Sequence, residues 1–139
     1  MNAEIIAIGD EITSGQKLDT NSQWLAVQLE NTGVRVLFHT AIGDELDAMV
    51  DAFRIAADRA ELILITGGLG PTADDLTRQA LADATGFPLE FREEAFEHVR
   101  SIFERRGYEM PESNRVQALF PVGSRMIDNP SGTAPGIDL

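Results

Sequence analysis

Residues 66–81 read TGGLGPTADDLTRQAL and follow directly on the apolar run at 62–65. A short apolar run of this kind is the mark of a strand covered on both faces. Gly67, Gly68 and Gly70 then permit positive φ and close approach of the backbone to a ligand. Leu76, Ala80, Leu81 and Ala84 recur at helical spacing, and Gly86 stops the helix. Strand, glycine-rich loop and helix, in that order, form the repeating unit of a parallel α/β sheet.

The same alternation extends outward on both sides. Residues 3–8 form an apolar strand ending at Gly9, and residues 34–38 form a β-branched and aromatic one. Between them TNSQWLAVQLENTG offers Thr20, Asn21 or Ser22 as N-cap and Gly33 as terminator. Trp24 falls on the apolar stripe of that helix and is expected in the core. Leu46, Met49, Val50, Phe53 and Ala57 predict a second helix after the acidic start GDELD. Phe96, Val99, Ile102 and Phe103 predict another, ending near Arg106. Residues 118–120 fit no element clearly, and Met126 with Ile127 suggests one more short strand. No repeat or linker interrupts the chain, so residues 1–139 are expected to form a single domain. Its expected class is α/β, a three-layer α/β/α sandwich with a mostly parallel sheet.

Composition limits the function. Of 139 residues, 43% are hydrophobic, enough for a sizeable core. Asp and Glu number 23 against 11 Lys and Arg, a formal net charge of −12. That balance argues against nucleic acid, whose binding runs on phosphate neutralisation by cations, and against an anionic membrane surface. No apolar run approaches the roughly 18 residues of a membrane span, and no signal-peptide pattern precedes the first strand. The sequence has no cysteine. A cytoplasmic protein is the expectation.

In parallel α/β sheets ligands bind beyond the carboxyl ends of the strands. The loops at 9–21, 41–45 and 66–75 should therefore open at one sheet edge, and each joins glycine to Asp, Ser, Thr or Asn. A fourth loop of that composition, NPSGTAPG, spans 129–136. The 66–75 loop lacks the lysine of a Walker A motif and the spacing of a dinucleotide fingerprint. A glycine-rich anion loop without its own cation, set among carboxylates, points to a hard divalent ion bridging carboxylate and phosphate oxygens. Asp10, Glu11, Asp44, Asp74 and Asp75 are the available carboxylates. Each also has a local reading: Asp74 and Asp75 as N-caps, Asp44 as an acidic residue favoured at a helix start, and Asp10 and Glu11 as turn caps. Asp19, with Asn21, reads as the cap of the first helix. His39 and His98 are isolated, and no Ser-His-Asp set can be assembled.

Taken together, GDEITSGQKLDTNSQWLA, TGGLGPTADDLT, SNRVQALFP and NPSGTAPG resemble the N-terminal domain of the competence/damage-inducible CinA proteins. That domain belongs to the wider molybdopterin-binding superfamily of the MoaB, MogA and MoeA type, whose fold is the α/β sandwich expected above. The resemblance implies a pocket for a phosphorylated ligand built from the glycine-rich loop and two aspartates, matching Asp44 and Asp75. It implies hydrolysis of the pyrophosphate of ADP-ribose or a related nucleotide diphosphate, with a divalent metal of the Mg or Co type and potassium. Under that reading Asp10, Asp44 and Asp75 are catalytic, and Asp10, Asp44, Asp74 and Asp75 are the candidate metal ligands. Gly67, Gly68, Gly70, Thr72, Asp74, Asn21, Ser131, Gly132 and Thr133 are the candidate ligand contacts. Two alternatives share these residues: a molybdopterin-binding or molybdopterin-adenylylating protein, and a non-catalytic nucleotide-binding or dimerisation module. A homo-oligomer is expected, a dimer in first place. Because CinA domains continue beyond the equivalent of GIDL, the domain is expected to be truncated at its C-terminal end.

Overall fold

The computed structural model describes residues 1–139, which form two compact units, Met1–Gly68 and Leu69–Leu139. The first carries a three-stranded parallel sheet in the order β2-β1-β3, with β1 at Asn2–Ile8, β2 at Arg35–Ile42 and β3 at Leu62–Thr66. The α/β class with a parallel sheet, expected from the sequence, is the one observed. Strand β1 lies between two neighbours and is buried from Ala3 onward, with Ala3, Ile5, Ile6, Ala7 and Ile8 as its apolar residues. Ile8 pairs with Ile42 and Ala7 with Thr66, so the three strands end in line. Helices α1 (Asp10–Thr13), α2 (Thr20–Asn31) and α3 (Leu46–Arg59) fill the connections.

One polar residue stands inside this core. Glu4 has no exposed surface. Its carboxylate accepts bonds from Arg59 Nε at 2.8 Å and Nη2 at 2.7 Å, and from Thr40 Oγ1 at 2.6 Å. The Arg59 guanidinium lies 3.9 Å over the Phe38 ring. The bond from Arg59 holds the Glu4 carboxyl below its ordinary pKa, against desolvation, with Thr40 assisting. A fork on two carboxylate oxygens, with a hydroxyl on one of them, is what makes a buried carboxylate tolerable.

The second unit contains α4 (Thr77–Thr85), α5 (Glu93–Arg105), a 3-10 helix at Glu112–Ala118 and two antiparallel ribbons. β4 (Leu89–Phe91) pairs with β5 (Leu119–Pro121), and β6 (Arg125–Ile127) pairs with β7 (Gly136–Asp138). Ala95, Ala118 and Phe120 form its buried centre, with Phe91, Phe96, Met126 and Ile137 packed around them. Gly86 ends α4 in the left-handed region at φ 76°.

Several local expectations are corrected. Trp24 is 62% exposed, not core. The inward stripe of α2 is Ser22, Leu25, Ala26 and Leu29, an i, i+3, i+4, i+7 series that leaves Trp24 out of phase. Ala56, not Ala57, joins Met49 and Phe53 on the buried side of α3. Thr20, Asn21 and Ser22 lie within the first turn of α2, because Asp19 is the N-cap and accepts from Ser22 N at 3.0 Å. Asp74 and Asp75 do not cap α4, whose N-cap is Leu76. Asp75 instead closes the preceding turn. Strand β2 runs four residues past its expected end at Phe38, and α1, β4 and β7 carry too few residues for a periodic signal.

Candidate functional site

In the first unit the loops after β1, β2 and β3 open at the carboxyl edge of the sheet, as the parallel order requires. Gly9 N donates to Ile42 O at 2.9 Å, tying the first two loops at their roots. Asp10 and Asp44 then bond each other's backbone. Asp44 N donates to Asp10 Oδ1 at 2.8 Å, and Asp10 N donates to Asp44 Oδ2 at 3.1 Å. Each carboxylate keeps its second oxygen for other work. A Cβ on Gly43 would come within 2.7 Å of Asp10 Oδ1, so the clamp depends on that glycine. Asp10 also begins α1, a single turn that the sequence reading treated as loop.

A cleft of about 210 Å³ in the same unit is lined by Glu11, Lys17, Asp19, Asn21, Thr66 and Gly67, with Ala7 and Ile8 at the carboxyl end of β1. Gly67 has φ 98°, and a side chain there would collide with the Ile8 carbonyl oxygen. The strand end and the glycine loop therefore approach more closely than any other residue allows. Lys17 was missed by sequence reasoning, which looked for a cation only inside the glycine loop. It reaches the cleft because Lys17 N bonds Glu11 O at 2.9 Å, folding the first loop back on α1.

In the second unit Thr72 and Asp75 lock the glycine loop. Asp75 Oδ2 accepts from Thr72 N at 2.9 Å and from Thr72 Oγ1 at 2.6 Å, while Asp75 N donates to Thr72 O at 3.1 Å. Gly70 is required there, because a Cβ would meet Asp75 Oδ2 at 2.5 Å. Asp74 is exposed and takes no part in this turn. Arg78 is 5% exposed and donates to the carbonyls of Leu69 at 2.6 Å and Gly70 at 3.4 Å.

The 129–136 loop is organised by a side chain the sequence reading did not single out. Asn129 Oδ1 accepts from Ser131 N at 3.0 Å and Gly132 N at 3.1 Å, and its Nδ2 donates to Ala134 O at 2.8 Å. The two amides offered by sequence as phosphate donors are thus committed internally. Thr133 Oγ1 accepts from Gln117 Nε2 at 3.2 Å, and Gln117 Oε1 accepts from Asn114 Nδ2 at 2.9 Å. The spacing of Asn114 and Gln117 in SNRVQAL, three apart, was the available signal.

The expected metal ligands divide into Asp10 with Asp44 in the first unit and Asp74 with Asp75 in the second. No three His, Cys, Asp or Glu side chains converge as a ready-made metal cluster. No helix is long and apolar enough to cross a membrane.

A parallel sheet with an aspartate clamp at its carboxyl edge and a glycine-rich loop after β3 defines an α/β domain whose polar groups gather at the strand ends. The profile of the "probable molybdopterin binding domain" family matches residues 4–139, and the chain belongs to that family. It is 46% identical over 135 residues to a CinA-like protein of Synechococcus elongatus, covering 97% of this chain and 32% of that protein. The chain therefore spans about a third of the length of the curated relative it matches. The crystal structure of CinA from Thermoplasma acidophilum, a protein described as of unknown function, superposes with a TM-score of 0.89 at 34% identity. That match covers 98% of this chain and 79% of the other. MoaB of Thermus thermophilus, a molybdopterin biosynthesis enzyme, matches with a TM-score of 0.56 at 22% identity over 86% of this chain and 78% of its own. That last likeness is one of fold. The resemblance to CinA read from the motifs is confirmed.

Proposed function

We propose that this domain binds a phosphorylated nucleotide-like small molecule and hydrolyses its pyrophosphate with a divalent cation, ADP-ribose being the substrate of choice. The reciprocal clamp of Asp10 and Asp44 carries the reading. The clamp holds both carboxylates rigidly, each with one oxygen left over, beside a cleft that has a lysine in its wall. Two hard carboxylate ligands and a substrate phosphate suit a magnesium-like ion, which keeps several waters of its own. Such an ion, when bound, neutralises phosphate charge and lowers the pKa of water.

The chain's own residues would do the rest. Lys17 would pair with a phosphate oxygen, Asn21 and Asp19 would take ribose hydroxyls, and Gly67 would let the backbone approach. In the net reaction water adds to one phosphorus and the P–O–P bond breaks. ADP-ribose yields AMP and ribose 5-phosphate, with release of protons. Potassium as a second ionic requirement, a homodimer and a cytoplasmic location belong to the same reading. Incubation of the 139-residue chain with ADP-ribose, magnesium or cobalt, and potassium tests it by product analysis. Metal-dependent AMP is the expected result, and intact ADP-ribose at every metal concentration contradicts it.

The family profile favours one second reading, molybdopterin as the ligand, bound or adenylylated at the same cleft. Tight molybdopterin binding without ADP-ribose turnover would select it. Nucleotide binding without turnover would leave a non-catalytic module.

A further inference from the structure

The stretch 66–77 contains no lysine or arginine, and the chain as a whole carries a net charge of −12. The next residue, Arg78, is the cation of this loop, and it lies beneath it. Nine-tenths of the side chain and more is buried. Its Nη2 donates to Leu69 O at 2.6 Å and its Nη1 to Gly70 O at 3.4 Å, while Nε has no partner. No carboxylate is salt-bridged to it. Burial pulls the guanidinium down to about 10, with the charge of Asp75 acting in the opposite sense, so it remains a cation at neutral pH.

A buried cation spent on two carbonyl groups is a costly way to hold a loop that only needs closing, since Thr72 and Asp75 already close it. It does something those two cannot. In a trans peptide the C=O and the following N–H point in opposite directions, and no peptide here is cis. Drawing the Leu69 carbonyl onto Arg78 therefore turns the Gly70 N–H away from the guanidinium. The fork spans two successive carbonyls in a way an ammonium cannot. The Gly70 N–H is left pointing away from a fixed positive charge, which lies in the low dielectric where it acts most strongly.

We propose that Arg78 is a positioning residue for anion binding at its own loop: it pins the Leu69 and Gly70 carbonyls, presents the Gly70 N–H to a phosphate group, and supplies the positive charge that the loop itself lacks. The inference rests on the reading that the domain takes a phosphorylated ligand.

Inorganic pyrophosphate is titrated into the 15N-labelled chain, with ADP-ribose in parallel, and the Gly70 amide resonance is followed in wild type, Arg78→Met and Arg78→Lys. Melting temperatures establish that each variant is folded. Pyrophosphate should shift the Gly70 resonance in wild type. Arg78→Met should weaken that response at least about tenfold, and Arg78→Lys, which keeps the charge but not the fork, should recover part of it. An unshifted Gly70 resonance in wild type, or an Arg78→Met response equal to wild type, overturns the inference. If the Met variant does not fold, Arg78→Lys decides, and binding indistinguishable from wild type counts against the fork. A wild type that responds to pyrophosphate but not to ADP-ribose sinks the choice of substrate and leaves Arg78 its role.

Discussion

Replacing Asp44 separates the structural work of the clamp from its chemistry. Asp44 Oδ2 accepts from Asp10 N at 3.1 Å, at a solvent-accessible edge. Asp44→Ala removes that acceptor and should cost about 1 kcal/mol. For a chain of this size that is a melting point lower by roughly 3 °C. Asp44→Asn keeps an amide oxygen in the accepting position, so its cost should stay below about 0.5 kcal/mol. The backbone bond from Asp44 N to Asp10 Oδ1, at 2.8 Å, survives in both variants. Charge is lost in both. Metal-dependent turnover should therefore fall by on the order of a hundredfold in Asn and Ala alike, while only Ala loses stability. Calorimetry gives the first quantity and AMP release the second. An Asn variant that keeps more than half of the wild-type rate would refute the assignment. An Asn variant as unstable as Ala would refute the geometry of the clamp.

Other consequences concern the frame. Arg59→Leu leaves the fully buried Glu4 carboxylate without its cation and should destabilise more than Glu4→Gln, whose partner is partly exposed. Urea denaturation giving the reverse order would contradict the burial pattern. Because the folded pKa of Glu4 is lowered, its contribution is fully present above the unfolded value of about 4.3 and is lost as pH falls through the folded value. Glu4→Gln should accordingly flatten the acid limb of the stability curve, and an unchanged limb would show that Glu4 does not titrate in this way. Gly67→Ala forces a side chain into the Ile8 carbonyl at φ 98° and should destabilise by roughly 2 kcal/mol or more; a melting point equal to wild type would mean that the approach of β1 and the loop is looser. Trp24, 62% exposed, should emit like a solvated indole and be quenched readily by iodide, and a blue-shifted, protected emission would return it to the core.

The parallel sheet was legible because β1 and β3 are short apolar runs followed by glycine, although only β1 is buried on both faces and β3, at the sheet edge, is half-buried along its length. Asp10 was singled out by the same rule, since it follows a strand's carboxyl end, whereas Asp44 at a helix start was singled out by the resemblance to CinA. Trp24 misled because periodicity marks a stripe only to within one residue, and Ser22, a small polar residue, occupied the truly buried position. Lys17 and Arg78 were invisible as a pair of cations. One enters the cleft by a loop folding back, the other lies under its loop, and neither arrangement leaves a spacing to count. Asn129 escaped notice for a related reason: a side chain that bonds its own loop looks, in sequence, like one more turn-forming asparagine.

The most direct test of the account is calorimetric titration of ADP-ribose into the chain with and without magnesium, followed by product analysis of the same solution. Binding that requires the metal and ends in AMP is what the clamp of Asp10 and Asp44 predicts. Equal binding with and without metal, and no AMP, would contradict it.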